Sequence, residues 1–263
     1  MRRAKIVCTM GPAVATPEKV AELINAGMNV ARLNLSHGDY SEHLERLTLV
    51  RSAATKAKRP VAILVDLQGP KIRLGRFESG PHELKRGDVL TITTDEISGT
   101  KERVSTTYKG LPGDCKSGDV ILIDDGKVSV EVTEVRGNDV ITRCIEPGPI
   151  SNNKGINLPG VAVSIPALSE KDREDLRWGL RAGADFIALS FVRSAKDIED
   201  VHAIMTEEGI SRPVIAKIEK PQAVANLPEI IAAFDGIMVA RGDLGVEIDR
   251  KSTRLNSSHV SES

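Results

Sequence analysis

The sequence predicts an α/β fold: a TIM-type (β/α)8 barrel, present through six of its eight strands and interrupted after the third by a small antiparallel β domain. Three observations carry this expectation. Short apolar runs alternate with helical periodicity up to Asp66. Helical periodicity then vanishes between about residues 69 and 166. From Ser169 the first pattern returns.

Residues 5–9 read as a buried strand. Thr16-Pro17-Glu18 opens a helix, because Thr16 can cap it and Pro17 suits its first position, and Gly27 closes it. A strand over 29–34, a helix over 41–56 and a strand over 61–66 follow. Strand-helix-strand repetition at this spacing implies parallel pairing. In the middle zone, alternating runs at 89–93, 120–123, 128–135 and 140–144 are separated by Arg86-Gly87-Asp88, Asp124-Asp125-Gly126 and Gly137-Asn138-Asp139, which are turn chemistry. Ser169-Glu170-Lys171-Asp172 caps a helix through Ala182. Strands over 186–191, 214–218 and 236–240 alternate with helices over 195–208 and 222–233. The expected division is 1–68 and 168–248 for the barrel, 69–167 for the antiparallel β domain and 249–263 for a tail.

Bulk properties exclude several classes. Of 263 residues, 40% are hydrophobic and 28% charged, enough apolar material for a sizeable core. The net charge of −1 gives no field to attract nucleic acid or anionic lipid. No apolar stretch approaches the roughly 18 residues of a membrane span. The three cysteines, Cys8, Cys115 and Cys144, have no metal-type spacing and no activating base beside them, which fits a reduced cytoplasmic compartment.

In barrels of this type chemistry sits at the C-terminal strand ends. Polar residues do cluster there: Arg32, Asn34, Ser36 and His37 after strand two, Asp66 to Arg73 after strand three, Lys217 and Glu219 on strand five, and Arg241-Gly242-Asp243 after strand six. Lys217 and Glu219, two apart on a strand, face the same way. Glu219 and Asp243 supply oxygen donors of the kind Mg2+ takes, with water completing the shell. Arg32, Lys217 and the Gly242 backbone supply positive ends for a phosphate. A P-loop and a Gly-x-Gly-x-x-Gly motif are both absent. Asp124-Asp125-Gly126 reads as a hairpin turn, His43 and His202 as ordinary exposed helix residues, and Trp178 as packing.

Lys-Ile-Val-Cys-Thr-Met-Gly-Pro from Lys5, Gly-Met-Asn-Val-Ala-Arg-Leu-Asn-Leu-Ser-His-Gly from Gly27, Lys-Gly-Ile-Asn-Leu-Pro-Gly from Lys154, Ala-Lys-Ile-Glu from Ala216 and Met-Val-Ala-Arg-Gly-Asp-Leu-Gly-Val-Glu from Met238 together resemble the pyruvate kinase family, in the family's order. The stretch from Asp66 to Lys71 resembles actinobacterial members most. The resemblance implies phosphoryl transfer from phosphoenolpyruvate to ADP in glycolysis, giving pyruvate and ATP. It implies a homotetramer, and makes the antiparallel β domain over 69–167 a β-barrel lid that closes over nucleotide. It further implies Arg32 on the substrate phosphate, Lys217 on the phosphoryl group in flight, and Gly242 lining the substrate site. Glu219 and Asp243 would hold Mg2+ (or Mn2+), and Asn34, Ser36, His37, Arg73 and Lys154 would surround the nucleotide. The family's K+ site maps to Asn34, Ser36, Asp66 and the Leu67 backbone. K+-dependent members carry glutamate where this chain has Lys71, whose ammonium can supply the charge permanently.

The resemblance in these motifs stops near Glu247. Residues 249–259 read Asp-Arg-Lys-Ser-Thr-Arg-Leu-Asn-Ser-Ser-His, the translation of a common sequencing adapter. The expectation is a gene fragment with a non-native tail, lacking barrel strands seven and eight, poorly soluble and nearly inactive by itself. Two other readings stand beside this one. One is another phosphoenolpyruvate- or pyruvate-utilising barrel enzyme, such as an aldolase-like lyase. The other is a truncated binding protein without turnover.

Overall fold

The computed structural model describes residues 3–161 and 163–247; the tail expected at 249–263 lies outside them. The chain divides into two bodies. The first comprises Met1–Pro70, Pro166–Ile218 and Gln222–Val239. The second comprises Lys71–Ile165, Glu219–Pro221 and, among the described residues, 240–247.

In the first body, β1 (Ile6–Thr9), α1 (Pro17–Ala26), β2 (Met28–Asn34), α2 (Tyr40–Ala57) and β3 (Ala62–Asp66) follow in order. Thr16 caps α1 through its hydroxyl, which accepts from the Lys19 amide at 3.3 Å. Gly27 ends the helix at φ 110°, a conformation that favours glycine. Lys71–Ile165 contribute β4 (His82–Leu84), β5 (Val89–Thr93), β6 (Arg103–Ser105), α3 (Leu111–Asp114), β7 (Val120–Ile123), β8 (Val128–Arg136), β9 (Asp139–Glu146), β10 (Gly148–Ile150) and β11 (Ile156–Asn157). The first body resumes with α4 (Glu170–Arg181), β12 (Phe186–Leu189), α5 (Glu199–Glu208), β13 (Val214–Ile218), α6 (Pro221–Ala225, in this body from Gln222), α7 (Leu227–Ala233) and β14 (Gly236–Val239); α8 (Arg241–Glu247) comes last. Ser169 and Asp172 form a full capping box on α4.

The first body's sheet has six strands in the order β1-β2-β3-β12-β13-β14, all paired in parallel. Its inner strands carry the core residues Ala31, Leu33, Ile63, Val65, Ile187, Leu189, Val214 and Ala216. The first strand is not buried as expected. Ile6 and Val7 are 38% and 51% exposed, because β1 is an outer strand with β2 as its single neighbour. The other outer strand, β14, leaves Ile237 and Val239 exposed in the same way.

The helix expected over 195–208 divides into a 3-10 turn, Ala195–Ile198, and α5. That over 222–233 divides at Asn226, where Pro228 offers no amide to continue the ladder. Strand β12 ends before its expected limit, because Phe191 turns to φ 55°. Gly69 lies against that turn at φ 73°, and a Cβ there would come within 2.5 Å of the Phe191 ring and 2.7 Å of the Ser190 Cβ. Gly69→Ala should therefore destabilise the chain by about 2 kcal/mol or more, read as a lower denaturation midpoint.

The second body's strands form a six-stranded sheet, β11-β7-β8-β9-β5-β6, and a two-stranded one, β10-β4. Pairing is antiparallel apart from β5 with β6, which alternating runs do not reveal. Its core packs Leu74, Leu84, Leu90, Ile92, Val104, Ile121, Val130 and Val140. The Asp124-Asp125-Gly126 turn has three successive positive φ values, 53°, 58° and 85°, between β7 and β8.

Candidate functional site

Strand register brings the charged residues of the first body together. Thr9 pairs with Arg32, and Asn34 with Asp66. Asp66 pairs in turn with Ala188, and Ala188 with Ile215. Residues opposite one another, and residues two apart, share a face of a parallel sheet. Thr9, Arg32, Asn34, Asp66 and Lys217 are therefore directed to one face, with Ser190 just past the end of β12.

Their contacts follow. Arg32 donates through Nε to Asp66 Oδ2 at 2.7 Å and through Nη1 to Thr9 Oγ1 at 2.8 Å. Lys217 Nζ lies 3.2 Å from Asp66 Oδ1 and donates to Ser190 Oγ at 2.7 Å. The Ser190 hydroxyl in turn donates to the Leu67 carbonyl at 2.7 Å. Asp66 is fully buried, and burying a carboxylate is costly unless it is paired and hydrogen-bonded. Two cations around one carboxylate leave one positive charge in excess, which suits an anionic ligand.

The segment after β2 carries Ser36 and His37. The Ser36 amide donates to Asn34 Oδ1 at 3.2 Å, and the His37 amide to the Asn34 carbonyl at 3.4 Å. Lys171 on α4 donates to the Leu35 carbonyl at 3.1 Å. His43 approaches the His37 carbonyl with Nε2 at 2.8 Å. A carbonyl only accepts, so Nε2 carries the proton. The exposed helix residue expected at His43 is instead 2% exposed, since α2 turns His43, Leu47 and Val50 inward as one stripe. Burial pushes its imidazole below the ordinary value, so it is neutral at pH 7. Trp178 stacks on Tyr40 with ring centres 5.1 Å apart, in keeping with a packing role. The Tyr40 hydroxyl donates to the buried Asp175 at 2.7 Å, and burial, with that carboxylate, pushes the phenol upward. His202 is exposed as expected.

In the second body, Arg73 donates to the Asn153 carbonyl at 3.0 Å and bridges to Gly155 through its backbone. The Leu74 amide donates to the Lys154 carbonyl at 2.8 Å, so Arg73 and Lys154 sit on adjoining segments. Lys154 Nζ donates to Asp124 Oδ1 at 3.0 Å. Lys127 and Lys154 together hold the Asp124 carboxyl below its ordinary value. Lys71 lies over Gly155, where a Cβ would meet its Cε at 3.0 Å. Gly242 and Asp243 fall in α8, a helix the sequence pattern did not reveal. Glu219 is 1% exposed.

Among the described residues no group of three or more His, Cys, Asp or Glu could hold a metal ion. The pair expected for Mg2+, Glu219 and Asp243, consists of carboxylates, the oxygen donors that ion takes while keeping several waters. Of the donors expected for K+, Asn34 Oδ1, Asp66 Oδ2 and the Leu67 carbonyl already accept hydrogen bonds from the protein. Burial pushes the Cys115 thiol up to about 12, and Cys144 also upward, which keeps both unreactive at neutral pH.

Thr9 and Ser190 were missed in the sequence. Both stand at the end of an apolar run, as Arg32 and Lys217 do, and the strand-end rule applied to strands one and four would have found them. No helix among the described residues is long and apolar enough to cross a membrane.

Comparison with known proteins bears on this arrangement. The family model "Pyruvate kinase, barrel domain" matches residues 1–258, eleven residues past Glu247, where the last motif ends. A pyruvate kinase of Corynebacterium efficiens is 59% identical over 254 residues, covering 97% of this chain and 54% of the relative. One from Mycobacterium tuberculosis is 54% identical over 254 residues, with coverage of 97% and 54%. One from Geobacillus stearothermophilus is 47% identical over 257 residues, with coverage of 97% and 44%. The actinobacterial likeness expected from residues 66–71 thus extends through the chain. The chain spans about half the length of the curated relatives it matches. Matched along nearly its whole length, with the arginine and lysine of the shared motifs meeting at one buried carboxylate, the chain belongs to the pyruvate kinase family.

Proposed function

We propose that the full-length protein carrying this chain transfers the phosphoryl group of phosphoenolpyruvate to ADP, giving pyruvate and ATP. The observation that carries this reading is the meeting of Arg32 and Lys217, from strands β2 and β13, at Asp66. Phosphoryl transfer needs cations placed where charge develops on the moving group, and little else from the protein. Arg32 binds the substrate phosphate and Lys217 stabilises the phosphoryl group in flight. Thr9 and Ser190 fix the directions of those two side chains. Glu219 and Asp243 hold Mg2+ (or Mn2+), which when bound neutralises phosphate charge, and Gly242 lines the substrate site. Asn34, Ser36, His37, Arg73 and Lys154 bind the nucleotide. An aldolase-like lyase has no use for this nucleotide set, and a non-catalytic binder has no use for a lysine aimed at the transferred group.

The barrel reading is part of the same proposal. Residues 1–68 and 168–248 are barrel, and 69–167 form the lid. The exposed Ile6, Val7, Ile237 and Val239 on the outer strands support continuation of the sheet toward eight strands. By likeness to the family the assembly is a cytoplasmic homotetramer.

Turnover of phosphoenolpyruvate with MgADP, followed by pyruvate release in the full-length protein, tests the function; absence of pyruvate would sink it. K+ is a separate matter. With Lys71 supplying fixed charge, replacing K+ by tetramethylammonium should leave kcat within about twofold, whereas Lys71→Glu should make the enzyme K+-dependent. A large loss in the unsubstituted enzyme on removing K+ overturns the Lys71 assignment and leaves the reaction standing.

A further inference from the structure

The His43 imidazole presents a puzzle of cost. Its Nδ1 is buried and has no hydrogen-bond partner. An orphaned buried acceptor is destabilising, and a leucine at this position would avoid that cost while filling similar space. What histidine provides that leucine does not is the Nε2 proton, and that proton goes to the His37 carbonyl at 2.8 Å. The orphan also fixes the ring's state. With no acceptor beside Nδ1 to reward a second proton, the imidazole stays neutral, and its single N–H is committed to His37.

The neighbourhood is built to hold this geometry. Trp178 flanks the ring, with centres 6.1 Å apart. Glu42 and Arg46 lie on its own helix and Asp175 on α4, so both carboxylates and the guanidinium near it are accounted for. Gly38 adopts φ 80°, and a Cβ there would meet Glu42 Oε2 at 2.8 Å and His43 Nε2 at 3.4 Å, so the chain passes close over the ring. Asp39 then caps α2 by accepting from the Glu42 amide at 3.0 Å. The segment 34–37 is thereby pinned at its start by pairing of β2 with β3, in its middle by Lys171, and at its end by His43.

We propose that His43 is a positioning residue for nucleotide binding: its Nε2–H fixes the His37 carbonyl, and with it the orientation in which Asn34, Ser36 and His37 meet ADP. This rests on the nucleotide role given above to residues 34, 36 and 37. His43 does not touch the nucleotide; it removes the conformational freedom that the segment would otherwise lose on binding.

Glutamine and asparagine variants of the full-length enzyme separate this role from packing. The glutamine amide nitrogen reaches the place of Nε2, whereas the asparagine amide falls about one bond short. His43→Asn should raise KM for MgADP about tenfold, with KM for phosphoenolpyruvate and kcat within about twofold. His43→Gln should restore the MgADP value to within about threefold of the unsubstituted enzyme. His43→Leu should match the asparagine variant in KM while melting no lower than it, because the orphaned acceptor is gone. Equal MgADP values in all four proteins, or equal losses in the glutamine and asparagine variants, overturn the proposal. An unsubstituted enzyme that turns over no phosphoenolpyruvate with ADP instead overturns the nucleotide reading on which it rests. Trp178, whose ring centre lies 6.1 Å from that of His43, gives an independent check. Its emission should respond to MgADP with a midpoint that shifts in parallel with KM.

Discussion

Replacing Lys217 with methionine in the full-length enzyme should lower kcat about a thousandfold while KM for MgADP changes by less than about threefold. The reasoning starts from geometry. Lys217 is 12% exposed and its ammonium is held between Ser190 Oγ and Asp66 Oδ1. A cation restrained in a site with little water does not have to reorganise when charge builds on a phosphoryl group, so its full interaction is felt at the transition state. Methionine keeps the length and the packing of the stem but removes the charge. Lys217→Arg is the sharper control. It keeps the charge, but a planar guanidinium cannot occupy the place of an ammonium that donates to Ser190 Oγ at 2.7 Å while lying 3.2 Å from Asp66 Oδ1. A loss of about a hundredfold is expected for it. If the arginine variant turned over at the rate of the unsubstituted enzyme, charge without placement would suffice, and the role given to Ser190 would be wrong. If methionine lowered kcat by less than tenfold, Lys217 would not be acting on the transferring group.

Local chemistry was the most legible part of this chain. Thr16-Pro17 and Gly27 mark α1 because caps are satisfied within a few residues, and the capping box of Ser169 and Asp172 marks α4 for the same reason. Arg32 and Lys217 were legible because a charge inside an apolar run must have a partner, and β alternation gives its direction. Thr9 and Ser190 stand in equivalent places, but a small hydroxyl at a strand end is common and carries no cost that would betray it. Phe191 at φ 55° was not legible, since nothing in an aromatic residue announces a left-handed turn; the reason lies in its contact with Gly69, more than a hundred residues earlier. His43 was readable in part. The i, i+4, i+7 stripe with Leu47 and Val50 indicates burial, but what makes that face bury a histidine is α4 arriving far later in the chain, as the bond from Tyr40 to Asp175 across 135 residues shows. The parallel pairing of β5 with β6 was hidden because alternation gives the face of a strand and not its direction.

Asp66 is where folding and chemistry are coupled, and Asp66→Asn should show it. The substitution keeps size and one acceptor oxygen but leaves Arg32 and Lys217 facing each other with no anion between them. Breaking a buried pair by removing one partner costs about 3–5 kcal/mol, and the lower end applies because the Arg32 side chain is 24% exposed and partly solvated. Denaturant unfolding of the full-length protein should therefore show a loss of about 3 kcal/mol at low ionic strength. Two further outcomes separate this electrostatic account from a simple packing defect. Inorganic phosphate should restore part of the lost stability in the asparagine variant, since an anion bound to the native state alone stabilises it by mass action. The Asp66→Asn cost should also fall by about 1 kcal/mol or more when Lys217 is already methionine, because one of the two uncompensated cations is then absent. A cost that stays the same in both backgrounds, with no response to phosphate, would mean that Asp66 is held by its backbone pairing with Asn34 and Ala188 and that its charge does not organise the site. The expected pattern instead makes Asp66 the occupant of the anion position before substrate arrives: the carboxylate keeps Arg32 and Lys217 apart, charged and aimed, and a phosphate engages the positive charge it leaves in excess.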